Sequence, residues 1–241
     1  MFDIHCHLLP GIDDGAANLE QSLDLARFAV ADGITHMVTT PHIQPGVYEN
    51  DLHSISISFD LFKSALADNN IPLNIAMAAE VRLCPEILFM LDNGDLPLFI
   101  AVDGKRTMLL ELPHSHVPPG SDQMIRWLQG QGIGVLIAHP ERNKELMRKF
   151  DMIRKLRDDG CMFQLTSGSV AGRFGETPRM VAEQIIGQGW CDLLASDAHN
   201  LRNRPPQLSD GEQAAAQLLG AKGAHALVWD NPKGLVAGMF S

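Results

Sequence analysis

Five of the ten histidines in this 241-residue chain stand where they could do chemistry together. His5 and His7 lie two apart in FDIHCHL, His42 closes TTPH, His139 opens HPER and His199 ends SDAH. Acids accompany them: Asp13 and Asp14 in LPGIDDG, Glu80 in AAE, Glu111 in LLEL, and Asp197 two residues before His199. A lone histidine is ordinarily a hydrogen-bonded or surface residue, but this density of imidazoles and carboxylates points to metal ions. Carboxylates crowded into a partly dry site repel and take up protons, whereas divalent cations hold them ionised. Mixed nitrogen and oxygen donors suit zinc, manganese, iron or cobalt rather than an all-oxygen calcium or magnesium cage.

These residues converge only if the right elements carry them. In a strand, residues i and i+2 share a face, so His5 and His7 point together. Aliphatic and β-branched runs predict strands at 2–8, 35–43, 73–82, 107–113, 134–140, 161–167 and 192–198. Helical periodicity falls between them, at 19–31, 50–68, 122–130, 144–158, 176–188 and 210–219. Asn18 with Gln21, and Ser209 with Glu212, have capping-box spacing, and a last short helix starts near Asn231-Pro232. Asp103-Gly104 between two apolar runs predicts a hairpin feeding the fourth strand. Parallel strands need helical crossovers, so the alternation predicts an α/β barrel in a single domain, residues 1–241. The candidate residues then sit late in the strands or just beyond them, at the mouth where barrel enzymes work.

The remaining histidines, His36, His53, His114, His116 and His225, take the plain reading. His114 and His116 follow Glu111 closely enough to line the rim or to replace it as a ligand. Cys6 falls on the strand face opposite His5 and His7 and reads as a small core residue. The four cysteines have no zinc-ribbon or disulfide spacing, and none is followed by an arginine six positions later, which excludes the phosphate loop of cysteine-dependent tyrosine phosphatases. TSGSVAGRFG lacks the Walker lysine-serine ending and reads as a flexible turn. A formal net charge of -10 argues against nucleic acid as partner. No run approaches the roughly 18 apolar residues of a membrane span and no signal peptide is evident, so a cytoplasmic protein without membrane insertion is expected.

DIHCHLLPGIDDG, TTPH, AAE, LLEL, IAHPER and SDAHNLRNRPP occur in an order that resembles the PHP (polymerase and histidinol phosphatase) superfamily. More closely, they are similar to the bacterial tyrosine-protein phosphatases encoded with capsule and exopolysaccharide export systems. The resemblance implies a distorted (β/α)7 TIM-like barrel and three divalent metal ions, manganese first, with iron, zinc or cobalt as alternatives. One ion would be held by His5, His7, Glu80 and Asp197, a second by Glu80, Glu111 and His139, and a third by Asp14, His42 and His199. Arg142 and Arg204 would grip the substrate phosphate. The implied partner is a phosphotyrosine protein, a membrane-associated bacterial tyrosine autokinase that controls polysaccharide synthesis or export; oligomerisation is left open.

Such a centre implies phosphomonoester hydrolysis by metal-activated hydroxide, without a phosphoenzyme. A phenolate leaving group, with a pKa of about 10, needs less help from an acid than an alkoxide. Once ligands are assigned no dedicated acid stands out, which favours phosphotyrosine. The rival readings are a small-metabolite phosphatase such as one hydrolysing histidinol phosphate, a phosphodiesterase or exonuclease-like domain, and a binding module with a degenerate site. A plain reading of the arginines also stands: Arg142 paired with Glu141 or Glu145, and Arg202 with Arg204 anchoring the loop before Pro205-Pro206.

Overall fold

A computed structural model of the chain describes residues 1–240. In chain order the elements are β1 (Phe2–Cys6), α1 (Leu19–Ala31), β2 (His36–Thr39), β3 (His42–Ile43), α2 (Leu52–Asp68), β4 (Asn74–Met77), β5 (Glu80–Arg82), α3 (Ile87–Asn93), β6 (Phe99–Ile100) and β7 (Arg106–Glu111). There follow α4 (Ser121–Gly130), β8 (Ile133–Ala138), α5 (Lys144–Arg148), α6 (Asp151–Asp158), β9 (Met162–Thr166), α7 (Ser167–Val170), α8 (Glu176–Gly187), β10 (Leu193–Ala195), α9 (Ser209–Val228) and α10 (Asp230–Val236).

All seven expected strands form, but two are broken. The second becomes β2 and β3 around Thr40-Pro41, where proline has no N–H for the ladder, and the third becomes β4 and β5 around Ala78-Ala79. Pairing runs β1-β2-β4 in one sheet and β10-β9-β8-β7-β5-β3 in the other. Every pair is parallel except that of β6 with β7, the expected hairpin, whose Gly104 turns at φ +81°. The broken strands carry the order from sheet to sheet. His7 N–H donates to Ala198 O (2.8 Å) and Asp197 N–H to His5 O (2.8 Å), tying β1 to the segment after β10. The two sheets thus meet along β1 and the segment after β10 through an isolated parallel bridge, Cys6 with Ala198.

Alternation divides the strand residues between two cores. Met108, Leu110, Val135, Ile137, Phe163, Leu165 and Leu194 pack with the helices, while Leu109, Leu136, Ala138, Leu193 and Ala195 fill the other face with Val38 and Ala76. β1 slips between these faces. Its register with β2 shifts between Asp3 and Cys6, a bulge that breaks strict alternation. Phe2 and Ile4 therefore share the inner core, Cys6 lies on the helix side as expected, and Asp3 turns away to bond Ser196. His5 and His7 remain together.

Helix boundaries depart from expectation where tertiary partners intervene. The 144–158 helix is two, α5 and α6, separated at Lys149-Phe150. α9 runs on to Val228 across a non-helical Gly220 (φ +71°). Asn18 caps α1 through Gln21 N–H (3.0 Å), but Gln21 returns to Ala17 N–H rather than to Asn18. The Ser209 box does not form. Asp32 accepts from the Leu208 and Ser209 amides (2.7 and 3.1 Å) and from the Ser209 hydroxyl, capping α9 from across the fold. α3 had no sequence signal among the predicted helices, and TSGSVAGRFG, expected as flexible turn, begins with the buried helix α7. Among the described residues no helix is long and apolar enough to cross a membrane.

Candidate metal centre

The residues that could bind metal gather at the carboxyl ends of the strands, and the chain there is unusual. His139 and Asp197, each just past a strand, adopt φ of +32° and +53°, a region non-glycine residues seldom enter. Such conformations persist where surroundings over-determine them, and they cluster at functional sites. The breaks in the second and third strands start new segments at His42 and Glu80, which pair with each other in β3 and β5.

Three groups of donors emerge, each within 4.8 Å: His5, His7, Glu80 and Asp197; His7, Asp14, His42 and His199; and His42, Glu80 and Glu111. Glu80 is the hub. Its Oε2 lies 3.2 Å from His5 Nε2, 3.3 Å from His7 Nε2 and 3.0 Å from His42 Nδ1, while Oε1 meets His139 Nε2 at 2.9 Å. Asp197 Oδ1 faces His5 and His7 at 3.4 and 3.5 Å. Asp14, half-exposed, approaches His199 Nε2 at 3.2 Å and His42 Nε2 at 3.4 Å. Two groupings differ from those implied by the family resemblance: His7 joins Asp14, His42 and His199, and the imidazole nearest Glu111 is His42 (3.8 Å), while His139 stands against Glu80. His114 and His116 are exposed and belong to none of the three groups.

The hydrogen bonds behind these side chains fix which nitrogens face the centre. Gln164 Oε1 and Asp13 Oδ2 can only accept, so His5 Nδ1 (2.8 Å) and His7 Nδ1 (2.7 Å) must donate to them. In the neutral rings both Nε2 atoms then carry lone pairs, yet they face each other at 3.3 Å. Lone pairs so opposed repel unless a cation stands between them. His199 likewise donates Nδ1–H to Asp197 O (3.0 Å), leaving Nε2 free. Glu80 Oε2, Asp197 Oδ1, His42 Nδ1 and His199 Nε2 are all buried without an aligned hydrogen bond, and Glu111 Oε2 has only the Arg82 guanidinium, at 2.8 Å. Unpaired buried polar atoms cost free energy, and four in one place fit a metal centre.

Charge supports the same conclusion. Burial, and then the charge of Glu80, push Glu111 up to about 9, against the opposing pull of Arg82. That carboxyl stays ionised at neutral pH only beside added positive charge. Burial and the Arg142 charge bring His139 down to about 4; burial and His7 bring His199 to about 4. Both are therefore neutral imidazoles, the form that binds metal. Burial also opposes charge on His5, but Glu80 and Asp197 raise it, so a proton and a cation compete for its Nε2.

Arg142 and Arg204 both donate to Asp197 Oδ2. The surface pairing open to Arg142 is absent: Glu145 pairs with Lys149 (2.8 Å), and buried Glu141 accepts from Thr166 N–H (3.0 Å). Three supporting residues, Gln164, Arg82 and Phe174, carried no signal in the sequence, and a fourth, Asp13, carried no sign of its role. Asp13 was visible in the acidic loop, but its place behind His7 was not; Gln164 is a lone polar residue in an apolar strand. Arg82, closing β5, pairs with Glu111 at 2.8 Å, and Phe174 lies under Arg142. The cleft between Glu111, His114, His139, Arg142 and Asn143 holds only about 40 Å³. A cavity of about 710 Å³ lies at the other end of the strands between the hairpin and α10.

The model of the family "Capsular polysaccharide synthesis, CpsB/CapC" matches residues 1–237. The chain is 35% identical over 204 residues to the tyrosine-protein phosphatase YwqE of Bacillus subtilis (strain 168), covering 85% of this chain and 79% of the relative. It is 28% identical over 245 residues to the tyrosine-protein phosphatase CpsB of Streptococcus pneumoniae, covering 98% of each. Among solved structures, one from the work on YwqE and CpsB, described as unique metal-dependent tyrosine phosphatases, superposes with a TM-score of 0.91 at 33% identity, over 99% of this chain and 95% of that one. The histidinol phosphate phosphatase of Lactococcus lactis shares the fold, with a TM-score of 0.57 at 13% identity, over 92% and 93% of the two chains.

Proposed function

The chain belongs to the CpsB/CapC capsular polysaccharide synthesis family, and from that premise we propose that it is a metal-dependent phosphatase that hydrolyses phosphotyrosine in proteins. The observation that carries the proposal is the buried convergence of donor atoms with no hydrogen-bond partner, beside two arginines. Three divalent ions, manganese foremost, would be held by His5, His7, Asp14, His42, Glu80, Glu111, His139, Asp197 and His199. When bound, such ions offset the carboxylates, attract a phosphate dianion and supply hydroxide at neutral pH.

The protein's own residues do the rest. Gln164 and Asp13 fix the tautomers of the neutral His5 and His7 rings, so that the lone pair of each lies on Nε2 and faces the centre. Arg142 and Arg204 bring planar guanidinium groups to the rim, where they hold the phosphoryl oxygens and favour in-line displacement. None of the four cysteines is needed as nucleophile. A phenolate departs without a strong acid, so the chain need not supply one. The physiological substrate in this reading is a membrane-associated tyrosine autokinase of the polysaccharide export machinery.

The test is to strip the protein with chelator, add back single metals and follow phosphate release from a phosphotyrosine peptide and from histidinol phosphate. Metal-restored turnover of the peptide in preference to histidinol phosphate is expected. The reverse preference, or activity indifferent to chelation, would overturn the proposal.

A further inference from the structure

Arg142 has a second contact besides Asp197: its guanidinium carbon stands 4.5 Å from the centroid of the Phe174 ring. The two contacts differ in kind. An ion pair with a carboxylate occupies the in-plane N–H donors, the same donors a phosphate would need. An aromatic face holds the cation through its π cloud and leaves those donors free.

The surroundings of Phe174 are built to keep that ring in place. A Cβ on Gly168 would lie 2.9 Å from Phe174 Cε2, so only glycine at the centre of TSGSV lets the ring lie there. Arg173 N–H donates to Gly168 O (2.7 Å), closing the turn that carries Phe174, and the Arg173 side chain pairs with Asp210 at the start of α9. α9 in turn presses on α7: a Cβ on Gly211 would lie 2.8 Å from Ser167 Cα. Gly172 and Gly175, at φ +84° and +93°, bracket the turn. What the sequence suggested was a flexible loop is a buttress ending at an arginine.

We propose that Phe174 is a positioning residue for Arg142: stacking under the guanidinium, it aims the N–H fork at the substrate phosphate without competing for its donors. This rests on the reading that Arg142 grips phosphate. The residue acts through Arg142, touching neither the metals nor the scissile bond.

The test uses metal-loaded full-length protein, with inorganic phosphate binding measured by calorimetry and aryl phosphate turnover measured beside it. Phe174→Ala and Phe174→Leu are each expected to weaken phosphate binding and raise KM by about tenfold, with metal content at the wild-type level. Phe174→Tyr, which keeps the π face, is expected to stay within about twofold. In an Arg142→Ala background, Phe174→Ala should cost less than about twofold, because the group it positions is gone. Equal losses in both backgrounds, or a Phe174→Leu protein indistinguishable from wild type, would overturn the proposal. If wild type binds phosphate but does not turn over a phosphotyrosine peptide, the phosphatase reading fails, and the calorimetric cycle still decides the role of Phe174.

Discussion

Replacing Asp13 by asparagine tests how much the residue behind His7 contributes to metal affinity. Asp13 is nearly inaccessible and accepts three N–H bonds: from His7 Nδ1 at 2.7 Å and His42 N at 3.1 Å through Oδ2, and from Gly15 N at 2.9 Å through Oδ1. An amide accepts through one atom only. With its oxygen toward His7 and His42, the NH2 opposes the Gly15 amide and strands a donor, at about 1–3 kcal/mol of fold stability. The bond to His7 loses its charge assistance, and with it the basicity that favours cation binding at Nε2. Loss of such an outer partner typically costs about 10–100-fold in metal affinity. Asp13→Asn should therefore lie near the lower figure and Asp13→Ala, which abandons all three donors, near the upper. Competition of stripped protein against a chromophoric chelator measures both. A pH series adds a sign: burial would raise the Asp13 carboxyl, but the His7 charge and hydrogen bond outweigh it and hold the group below its ordinary 3.8. Its stabilisation is present above 3.8 and lost as the pH falls further, so the melting-temperature gap to Asp13→Asn should close in acid. Unaltered metal affinity in both variants would refute the account of how His7 is oriented.

Arg204→Lys should lower kcat/KM on an aryl phosphate by about 10–100-fold with metal content unchanged, since a point charge cannot reproduce a fork; unchanged kinetics would remove Arg204 from phosphate binding. In Gly15→Ala the new Cβ would meet His7 Cβ at 2.5 Å, so His7 must move; loss of bound metal, read by elemental analysis on folded protein, is expected, and full occupancy would refute the need for glycine there. Burial pushes Cys84 up to about 11 and Cys161 to about 12, and carries Cys6 and Cys191 well above their ordinary value. At pH 8 the thiolate fraction of Cys84 is on the order of one in a thousand, so iodoacetamide should leave activity intact; rapid inactivation would reopen a cysteine mechanism.

The convergence of the candidate ligands was legible because metal binding leaves a coarse signature: few other reasons place histidines and acids at the ends of six of seven strands. The barrel was legible through period-two apolar runs separated by helical ones. What escaped was whatever depends on a distant partner. Ser209 and Glu212 have capping-box spacing, but Asp32, far away in sequence, takes the Ser209 donors first. Alternation in FDIHCHL put Asp3 with His5, whereas a one-residue bulge, set by pairing with β2, sends Asp3 to Ser196. Gln164 looked like a polar exception in a strand, and only the fold shows His5 Nδ1 in front of it. The grouping of ligands is the finest level, since whether His139 or His42 stands nearer Glu111 depends on side-chain directions that spacing does not encode.

Asp197 joins the two halves of the site. Oδ1 faces His5 and His7 with no hydrogen-bond donor, while Oδ2 takes both guanidinium groups. Burial would protonate this carboxyl, yet Arg204, His5 and Arg142 hold it well below the ordinary range. The arginines thus keep a prospective metal ligand ionised, and the ligand holds the arginines beside the place where phosphate would lie. Substitution at Asp197 cannot separate these roles, because Asp197→Asn would loosen cation and arginines together. Changes on the arginine side can. If Arg204→Lys retains metal and loses phosphate binding, the guanidinium acts chiefly on substrate. If it loses metal as well, its main work is to sustain the charge of Asp197, and the assignment of Arg204 to phosphate falls.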